Sequence, residues 1–297
     1  MGSPVNTMPD VLIITVNYKG ADSTERFLAS AARLQHQSEA RIVVVENGSE
    51  DGSAERLRAV ARHFDNVELL ESRLNRGYFG AANWALQQFL SRGPAADWTI
   101  VCNNDITFED DQFLVKLFAR NPQTGQVLAP AIIARQTACD CNPFLRERPS
   151  RAQLLRYRFW LSHYPLMWFK QLLSPYVRIA RRRLAALRSA APGNSPAQIY
   201  AAHGAFLIFS RGYFQADGYI DDGFFLYAEE FVVAEICRRL SVPVIHDPAL
   251  RVFHDAHRVT GRLCTRTSFQ QGRDGLEYAL RTYFFVPGAS GSPQLRS

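Results

Sequence analysis

The sequence predicts an α/β fold in which a mostly parallel sheet is flanked by helices. Its first half alternates between short apolar runs rich in β-branched residues and amphipathic segments, as buried parallel strands and their crossover helices do. This alternation is typical of a doubly wound sheet with right-handed connections. The 297 residues are 47% hydrophobic and 21% charged, a composition that allows a large buried core.

The predicted elements of this first half follow one another closely. The predicted strands are residues 11–16, 41–46, 67–70 and 99–102. The predicted helices are residues 22–34, 53–64 and 81–90, with a fourth opened by Asp110 and Asp111. Asp22 and Ser53 are residue types that cap helix N-termini, so we expect them to begin the first two helices.

The pattern changes after about residue 134 and returns near residue 199. Residues 138–197 are basic and aromatic, with prolines at intervals. The predicted elements of this second half are helices at 154–173, 176–189 and 228–240 and strands at 199–209 and 242–246. We find no internal repeat, which excludes a solenoid or a propeller.

The positive charge lies in one segment of the chain. The net charge is +6, and residues 148–216 contain 11 of the 34 Lys and Arg but no Asp or Glu. This asymmetry favours an anionic partner such as a membrane surface, a nucleic acid or phosphates. No apolar stretch has the length of a transmembrane helix and no secretory leader is present, so we expect neither a membrane span nor secretion. The five irregularly spaced cysteines are expected to be reduced thiols.

An Asn-Asn-Asp triplet follows the fourth predicted strand, at residues 103–105. Ligands bind at the carboxyl ends of strands in α/β sheets. Asp105, with Asn103 two residues earlier, would offer oxygen atoms to a hard divalent cation. The same residue types also favour a simple turn after a strand. The local sequence leaves both interpretations open.

Other polar or glycine-containing segments adjoin predicted elements at residues 46–53, 75–83, 221–230 and 252–257. The acids at 46–53 and at 221–230 would bind a ligand or act as a general base, or would simply cap helices. The glycines at 75–83 would let the backbone approach a ligand, or would form a plain turn. The histidines at 252–257 would complete a metal shell or be structural.

In their order along the chain, these five motifs resemble those of inverting nucleotide-sugar glycosyltransferases of the GT-A fold, in the large second family. That family has a strand ending in Val-Asp-Asn-x-Ser-x-Asp, an Asn-x-Gly-(Phe/Tyr) loop and an Asn/Asp-x-Asp triplet. A Gly-Gly-Phe-Asp segment ending in Glu-Asp follows, and then a His after a strand. The resemblance spans about residues 10–260 and is interrupted by the basic segment. In particular, the chain resembles bacterial rhamnosyltransferase-like enzymes that build cell-surface polysaccharides.

The resemblance implies roles for particular residues. The implied donor-binding residues are Thr15, Asn17, Glu46, Asp51, Asn75, Gly77, Asn83 and Asn104. Asp105, with Asn103 and His254, is implied to hold Mg²⁺ or Mn²⁺ on the donor diphosphate. Glu230 is the implied catalytic base, with its neighbour Glu229 as a rival. Glu46 and Glu230 stand where the family has Asp, so each carboxylate lies one methylene further from the backbone.

The resemblance, together with composition, divides the chain into six parts. These are an N-terminal tail (1–9), a nucleotide-sugar-binding half (10–137), a basic, aromatic helical insertion (138–197), an acceptor and catalytic half (198–262), a C-terminal helical segment (263–287) and a disordered tail (288–297).

The implied function is an inverting, metal-dependent hexosyl- or deoxyhexosyltransferase of bacterial surface polysaccharide synthesis. Its donor would be a dTDP- or UDP-sugar and its acceptor a glycan or a polyprenyl-diphosphate-linked glycan. We expect it in the cytoplasm, bound through residues 148–191 to the anionic inner face of the membrane. That segment would otherwise be an oligomer interface or a solvated insertion. The rival functions are a catalytically impaired nucleotide-sugar-binding protein and a nucleic-acid-binding protein. The latter is disfavoured because no nucleic-acid motif is present.

Overall fold

The computed structural model describes residues 10–165, 195–255 and 265–285. The strands are β1 (Val11–Asn17), β2 (Ala40–Asn47), β3 (Val67–Ser72), β4 (Trp98–Asn103), β5 (Ile106–Thr107), β6 (Val127–Ala134), β7 (Cys139–Asp140), β8 (Ala197–Ile199), β9 (Phe206–Ser210) and β10 (Val244–His254). The helices are α1 (Ala21–Ala31), α2 (Ser53–Ala61), α3 (Tyr78–Leu90), α4 (Phe113–Phe118), α5 (Arg151–Trp160), α6 (Arg211–Gln215), α7 (Glu229–Arg239) and α8 (Arg266–Ala279). A π-helical turn, Leu280–Phe284, continues α8.

These strands form a mixed, mostly parallel sheet in the order β3-β2-β1-β4-β9-β6-β10-β5. The first four strands are parallel, as predicted, and β6 is parallel to β10. Strand β9 runs antiparallel between β4 and β6 and joins the first half of the chain to the second within one sheet. In the register of the sheet, Asn17 pairs with Glu46 and Val16 with Asn103, so three strands end at the same edge.

The core lies on both faces of the sheet. Along β1, Ile13 faces the layer of α1, α2 and α4, whereas Ile14 faces the layer of α3 and α7. Both side chains are fully buried. A strand covered on both faces needs apolar residues at every position, which explains the uninterrupted apolar runs in the sequence.

Several predicted boundaries were wrong. Helices α1 and α2 follow Gly20 and Gly52, and neither is capped by a side chain, so Asp22 and Ser53 lie inside the first turns. The predicted strand at 199–209 is two strands, β8 and β9, because a loop separates them. The predicted strand at 242–246 extends to His254 because it pairs along the whole of β6.

The described part of the basic segment contains α5. This helix begins earlier than predicted because Ser150 Oγ accepts from Gln153 N at 3.3 Å while Gln153 Oε1 accepts from Ser150 N at 2.7 Å. It ends at Trp160, well before the predicted limit. The predicted helix at 176–189 and the tail at 288–297 lie outside the described residues. Within the described ranges, every helix is too short or too polar to cross a membrane.

Candidate functional site

The ends of β1 and β4 are joined by a buried polar network. Asn17 Oδ1 accepts hydrogen bonds from Thr24 Oγ1 at 2.9 Å and from Asn104 Nδ2 at 3.2 Å. Asn17 and Asn104 are buried, at 0% and 8% exposed. The hydrogen bonds of their amides stabilise the loop after β1. Thr15 lies deeper in β1 and is fully buried, with no hydrogen-bond partner for its hydroxyl among the described residues. These three predicted donor-binding residues therefore form the floor beneath the strand ends.

Glu46 closes the turn that follows β2. Its carboxylate accepts from Gly48 N and Ser49 N, both at 3.1 Å, and from the Ser49 hydroxyl. The side chain is buried, and these bonds hold the turn at the sheet edge. Asp51, further along the same loop, is exposed and accepts from Ser53 N at 3.1 Å. The bond to Ser53 lowers the pKa of Asp51.

Asn47 fastens the glycine loop to β2. Its Nδ2 donates to Asn75 Oδ1 and to Gly77 O, both at 3.0 Å, and its Oδ1 accepts from Arg76 N at 2.9 Å. Asn75 Oδ1 also accepts from Gly77 N at 2.9 Å. The loop is thereby held beside the end of β2.

Gly77 is the point at which this loop meets the acidic loop that precedes α7. Its φ of +74° is a left-handed conformation, and an added Cβ would overlap the carbonyl of Phe225. Tyr78 N donates to that carbonyl at 3.1 Å. Asn83, one turn further along α3, donates to Asp222 Oδ2 at 3.0 Å. Gly77 and Asn83, both predicted donor-binding residues, thus contact the segment that carries the candidate base.

We expect Gly77→Ala to lower the free energy of unfolding by more than about 2 kcal/mol, since it combines backbone strain with a backbone overlap. Gly52→Ala is the matched control because Gly52 also has a positive φ, +83°, but nothing lies within 4 Å of an added Cβ. Urea unfolding of both variants separates strain from overlap. Equal losses in the two variants would contradict the close approach at Gly77.

Asp105 and His254 lie together where β4 and β10 end. Ile106, next to Asp105, pairs with His254 across β5 and β10, and Asp255 N donates to Asp105 O at 3.0 Å. This pairing places Asp105 Oδ1 3.0 Å from His254 Nε2, with the side chains 11% and 8% exposed. Burial opposes the charged imidazole, but the carboxylate of Asp105, aided by Cys141, outweighs it and raises the pKa of His254 to about 9.

The donor atoms at this position fit a divalent cation. The buried Asp105 Oδ1 forms an ion pair with His254 Nε2, which places a carboxylate oxygen and an imidazole nitrogen side by side. Within those residues, no group of three or more His, Cys, Asp and Glu is placed to hold a metal. Mg²⁺ is usually held by one or two carboxylates together with substrate phosphates, so a sparse protein shell suits it. The backbone N–H of Asn103, the other predicted ligand, donates a hydrogen bond to Ala205 O at 2.9 Å.

Glu229 and Glu230 begin α7 beside the loop that joins β8 to β9. Glu230 Oε1 accepts from Gly204 N at 3.1 Å, and Tyr78 Oη donates to Gly204 O at 3.2 Å. Glu229 is 6% exposed and accepts from Tyr227 N at 3.2 Å. Burial and then the charge of Glu230 raise the pKa of Glu229 to about 8. At neutral pH Glu229 therefore holds a proton, and Glu230 has a neutral neighbour.

The raised pKa of Glu229 predicts a loss of stability at alkaline pH. Between pH 4.5 and about 8 the folded state holds a proton that the unfolded state releases, so the free energy of unfolding falls as pH rises through this window. We expect Glu229→Gln to be more stable than the wild type at pH 8 and to show a flatter dependence on pH. Urea unfolding at pH 5 and pH 8 measures the difference. Glu55→Gln, at an exposed position, is the control, and a wild-type slope retained in Glu229→Gln would refute the assignment.

His203 is a residue of this region that the sequence did not single out. Its Nδ1 accepts from Ala205 N at 3.1 Å, so the proton of the neutral ring is on Nε2. Burial lowers the pKa of His203, and its ring centroid lies 6.1 Å from that of His254. A neutral imidazole with a fixed donor thus stands beside the Asp105 and His254 pair. It lies in a short loop of small residues, and no local pattern distinguishes it from a structural histidine.

The acidic loop before α7 is held from its other side by α8. Asp221 is buried, and its carboxylate accepts from the hydroxyls of Tyr278, at 2.8 Å, and Tyr283. Gly275 lies so close to Leu226 O that an added Cβ would overlap it. The C-terminal helix therefore fixes the loop that leads to Glu229 and Glu230.

Comparison with known proteins gives a consistent family. A model described as "Glycosyl transferase family 2" matches residues 10–174. The N-acetylglucosaminyl-diphospho-decaprenol L-rhamnosyltransferase of Mycobacterium tuberculosis is 27% identical over 264 residues, which are 86% of this chain and 79% of that protein. Glycosyltransferase AglE of Haloferax volcanii is 31% identical over 84 residues, 28% of each chain.

Two solved structures share the fold. The mannosyltransferase PcManGT from Pyrobaculum calidifontis, in complex with GDP-Man and Mn²⁺, has a TM-score of 0.51 and 16% identity over 86% of this chain and 59% of that one. GalNAc-T7, with UDP, GalNAc and Mn²⁺, has a TM-score of 0.56 and 13% identity over 84% of this chain and 44% of that one. The chain spans less than two thirds of either structure, and at these identities the likeness concerns the fold alone.

Proposed function

The chain belongs to glycosyl transferase family 2, and we propose that it moves a hexosyl or deoxyhexosyl group from a dTDP- or UDP-sugar to a polyprenyl-diphosphate-linked acceptor. Its enzymatic class, a GT-A glycosyltransferase that uses a nucleotide sugar, follows from the family. The observation that supports the proposal is that the loop between β8 and β9 contacts both groups of candidate residues. The ring of His203 lies 6.1 Å from that of His254, which pairs with Asp105, and the next residue, Gly204, donates its N–H to Glu230.

The proposed reaction is a direct displacement with inversion. Glu230 takes the proton of an acceptor hydroxyl as that oxygen forms a bond to the anomeric carbon. The bond from the anomeric carbon to the diphosphate oxygen breaks, and the nucleoside diphosphate leaves with the electron pair. A single carboxylate is sufficient because the nucleoside diphosphate leaves as a stabilised anion, whereas hydrolases need a second carboxyl group, either to protonate the leaving oxygen or to act as nucleophile. The bond from Gly204 N orients the carboxylate of Glu230.

We propose that Asp105 and His254 would hold Mg²⁺ or Mn²⁺, with Asn103 as a weaker candidate ligand. Such an ion supplies Lewis-acid stabilisation of the charge that develops on the leaving diphosphate. The buried carboxylate of Asp105 beside His254 supports this role, and the two solved structures described above contain Mn²⁺. Thr15, Asn17, Glu46, Asp51, Asn75, Gly77, Asn83 and Asn104 stay predicted donor-site residues, several of which act through the loops that they brace.

The acceptor proposal rests on the mycobacterial relative, whose name specifies a sugar on a diphospho-decaprenol carrier. A thermal-shift panel of dTDP-, UDP- and GDP-sugars with Mn²⁺ or Mg²⁺ would identify the donor, because a bound ligand stabilises the folded state by mass action. Turnover of the stabilising donor with N-acetylglucosaminyl-diphospho-decaprenol then tests transfer. Donor binding without turnover on any lipid-linked acceptor would favour the catalytically impaired nucleotide-sugar-binding protein.

We also propose that residues 148–191 bind the anionic inner face of the membrane; most of this range lies outside the described residues. Supporting this, Leu155 and Phe159 lie one turn apart on α5 and are 46% and 57% exposed, next to the exposed Arg156. Arg148 and Arg158 instead form ion pairs with Glu235, at 2.7 Å, and Glu277, at 2.6 Å.

Flotation with anionic and neutral liposomes tests the membrane proposal. We expect binding to anionic vesicles that weakens when Leu155 and Phe159 are both replaced by Ser. Leu74→Ser removes an apolar side chain that is 73% exposed in the loop after β3, outside the basic segment, and is the control. Absence of wild-type binding to anionic vesicles would overturn the proposal and favour an oligomer interface or a solvated insertion.

A further inference from the structure

A cavity of about 790 Å³ lies between the acidic loop and α8. Its walls include Phe224 and Phe225 of the loop and Gln271, Asp274, Tyr278 and Arg281 of the C-terminal segment. This volume is within the range of small-ligand pockets in proteins. None of the roles assigned above uses the cavity.

The C-terminal helix presents one polar face to this cavity. Gln271, Asp274, Tyr278 and Arg281 recur at intervals of three or four residues, so they share one face. The opposite face carries Leu276 and Leu280, which are buried against Leu154 of α5. The helix therefore packs by its apolar face and turns its polar side chains toward a cavity that is open to solvent on one side.

The cavity shares a wall with the candidate catalytic site. The backbone of Phe225 contacts Gly77 and Tyr78 on the donor side, while the Phe225 side chain, 38% exposed, lines the cavity. Four residues further along the chain the same loop reaches Glu229. A group in this cavity would thus lie across a single loop from the residues around the reacting centre.

We propose that this cavity binds a sugar unit of the acceptor, an inference that rests on the proposed function. The rings of Phe225 and Tyr278 offer apolar surface to the C–H face of a sugar. Gln271 and Arg281 supply donors, and Gln271 and Asp274 supply acceptors, for the hydroxyl groups at its edge.

The charges of the lining favour a neutral sugar over a phosphate. Arg273 and Asp274 lie 3.1 Å apart, and Glu277 pairs with Arg158 at 2.6 Å. The lining therefore contains two basic groups, Arg273 and Arg281, and two acidic groups, Asp274 and Glu277. An anion site would need an excess of positive charge that the lining does not provide.

Saturation-transfer NMR with a panel of mono- and disaccharides, in the presence of nucleoside diphosphate and the diamagnetic ion Mg²⁺, tests the proposal. We expect the wild type to bind at least one sugar of the panel. Gln271→Ala and Arg281→Ala should each weaken that binding about tenfold, the effect of losing one good hydrogen bond. Gln270→Ala is the matched control, since Gln270 is exposed on the same helix and does not line the cavity.

Two results separate the possible failures. If the wild type binds no sugar of the panel, or if both cavity variants bind as the wild type does, the cavity is not an acceptor site. If the wild type fails to bind any nucleoside diphosphate in calorimetric titration, the proposed function itself fails. Thermal unfolding of each variant shows that any lost binding is not lost folding.

Discussion

Replacing Asp105 with Ala is expected to reduce sugar transfer by about a thousandfold, the scale found when a group that stabilises developing charge is removed. Asp105 is 11% exposed, and its Oδ1 forms an ion pair with His254 Nε2 at 3.0 Å. A nearly buried carboxylate of this kind supplies the negative charge and the oxygen atoms that a divalent cation prefers. We therefore expect the Mn²⁺-dependent part of nucleoside diphosphate binding to weaken more than the binding measured in EDTA.

Titration calorimetry with and without Mn²⁺ measures both contributions. Asp105→Asn keeps the shape of the side chain and should behave as Asp105→Ala does, because the charge is what matters. Asp111→Asn is the control, since Asp111 is exposed and hydrogen bonds to Gln35 Nε2 at 2.9 Å outside the site. Metal-dependent binding at the wild-type level in Asp105→Asn would show that Asp105 is only an ion-pair partner of His254.

The parallel half of the sheet could be predicted because its signals are local. Strands β1, β2 and β4 are mostly apolar on both faces, and their last residues, with the loops after them, carry the polar residues of the site. Asp105 and His254 were both predicted, and the pairing of β5 with β10 brings them together. The two residues are 149 positions apart in the chain, and strand pairing brings them together. The family resemblance implied this proximity, whereas the local sequence did not.

The orientation of the predicted donor-site residues could not be read from the sequence. Asn17, Glu46 and Asn104 are polar residues at strand ends, as predicted, but their side chains are directed into hydrogen bonds with neighbouring loops. Whether such a side chain turns inward depends on which loops pack beside it. The bond between Asn17 and Asn104 joins residues 87 positions apart, so it is nonlocal, whereas Glu46 bonds to the turn directly after its own strand.

The role of α8 was hidden for the same reason. The sequence predicted a helical C-terminal segment without a function. In the structure, Tyr278 and Tyr283 bind Asp221 across 57 and 62 positions and fix the loop before the candidate base. The loop's acids suggested capping or catalysis when considered alone, and Asp221 instead has a structural role that depends on these distant tyrosines.

Replacing Glu230 with Gln is expected to lower kcat by a factor of about a hundred to ten thousand, the usual contribution of a general base. The amide oxygen of Gln still accepts the bond from Gly204 N, so the loop between β8 and β9 keeps its position. We therefore expect donor binding to be unchanged while proton removal from the acceptor is lost. Initial rates at saturating donor and acceptor measure kcat directly, and calorimetry with the donor checks binding.

Glu229→Gln is the matched comparison and should have a smaller effect at pH 7. The pKa of Glu229 is raised to about 8 by burial and by Glu230, so the wild-type side chain is already neutral and Gln reproduces its protonated shape. Above pH 8 Glu229 of the wild type loses its proton and places a negative charge beside Glu230, whereas the Gln of the variant stays neutral. The activities of the wild type and of Glu229→Gln should therefore diverge above pH 8, and the activity of the variant should be less sensitive to alkali. If Glu229→Gln is instead the inactive variant at pH 7 and Glu230→Gln retains transfer, the base is Glu229, and the bond from Gly204 N only fixes the start of α7.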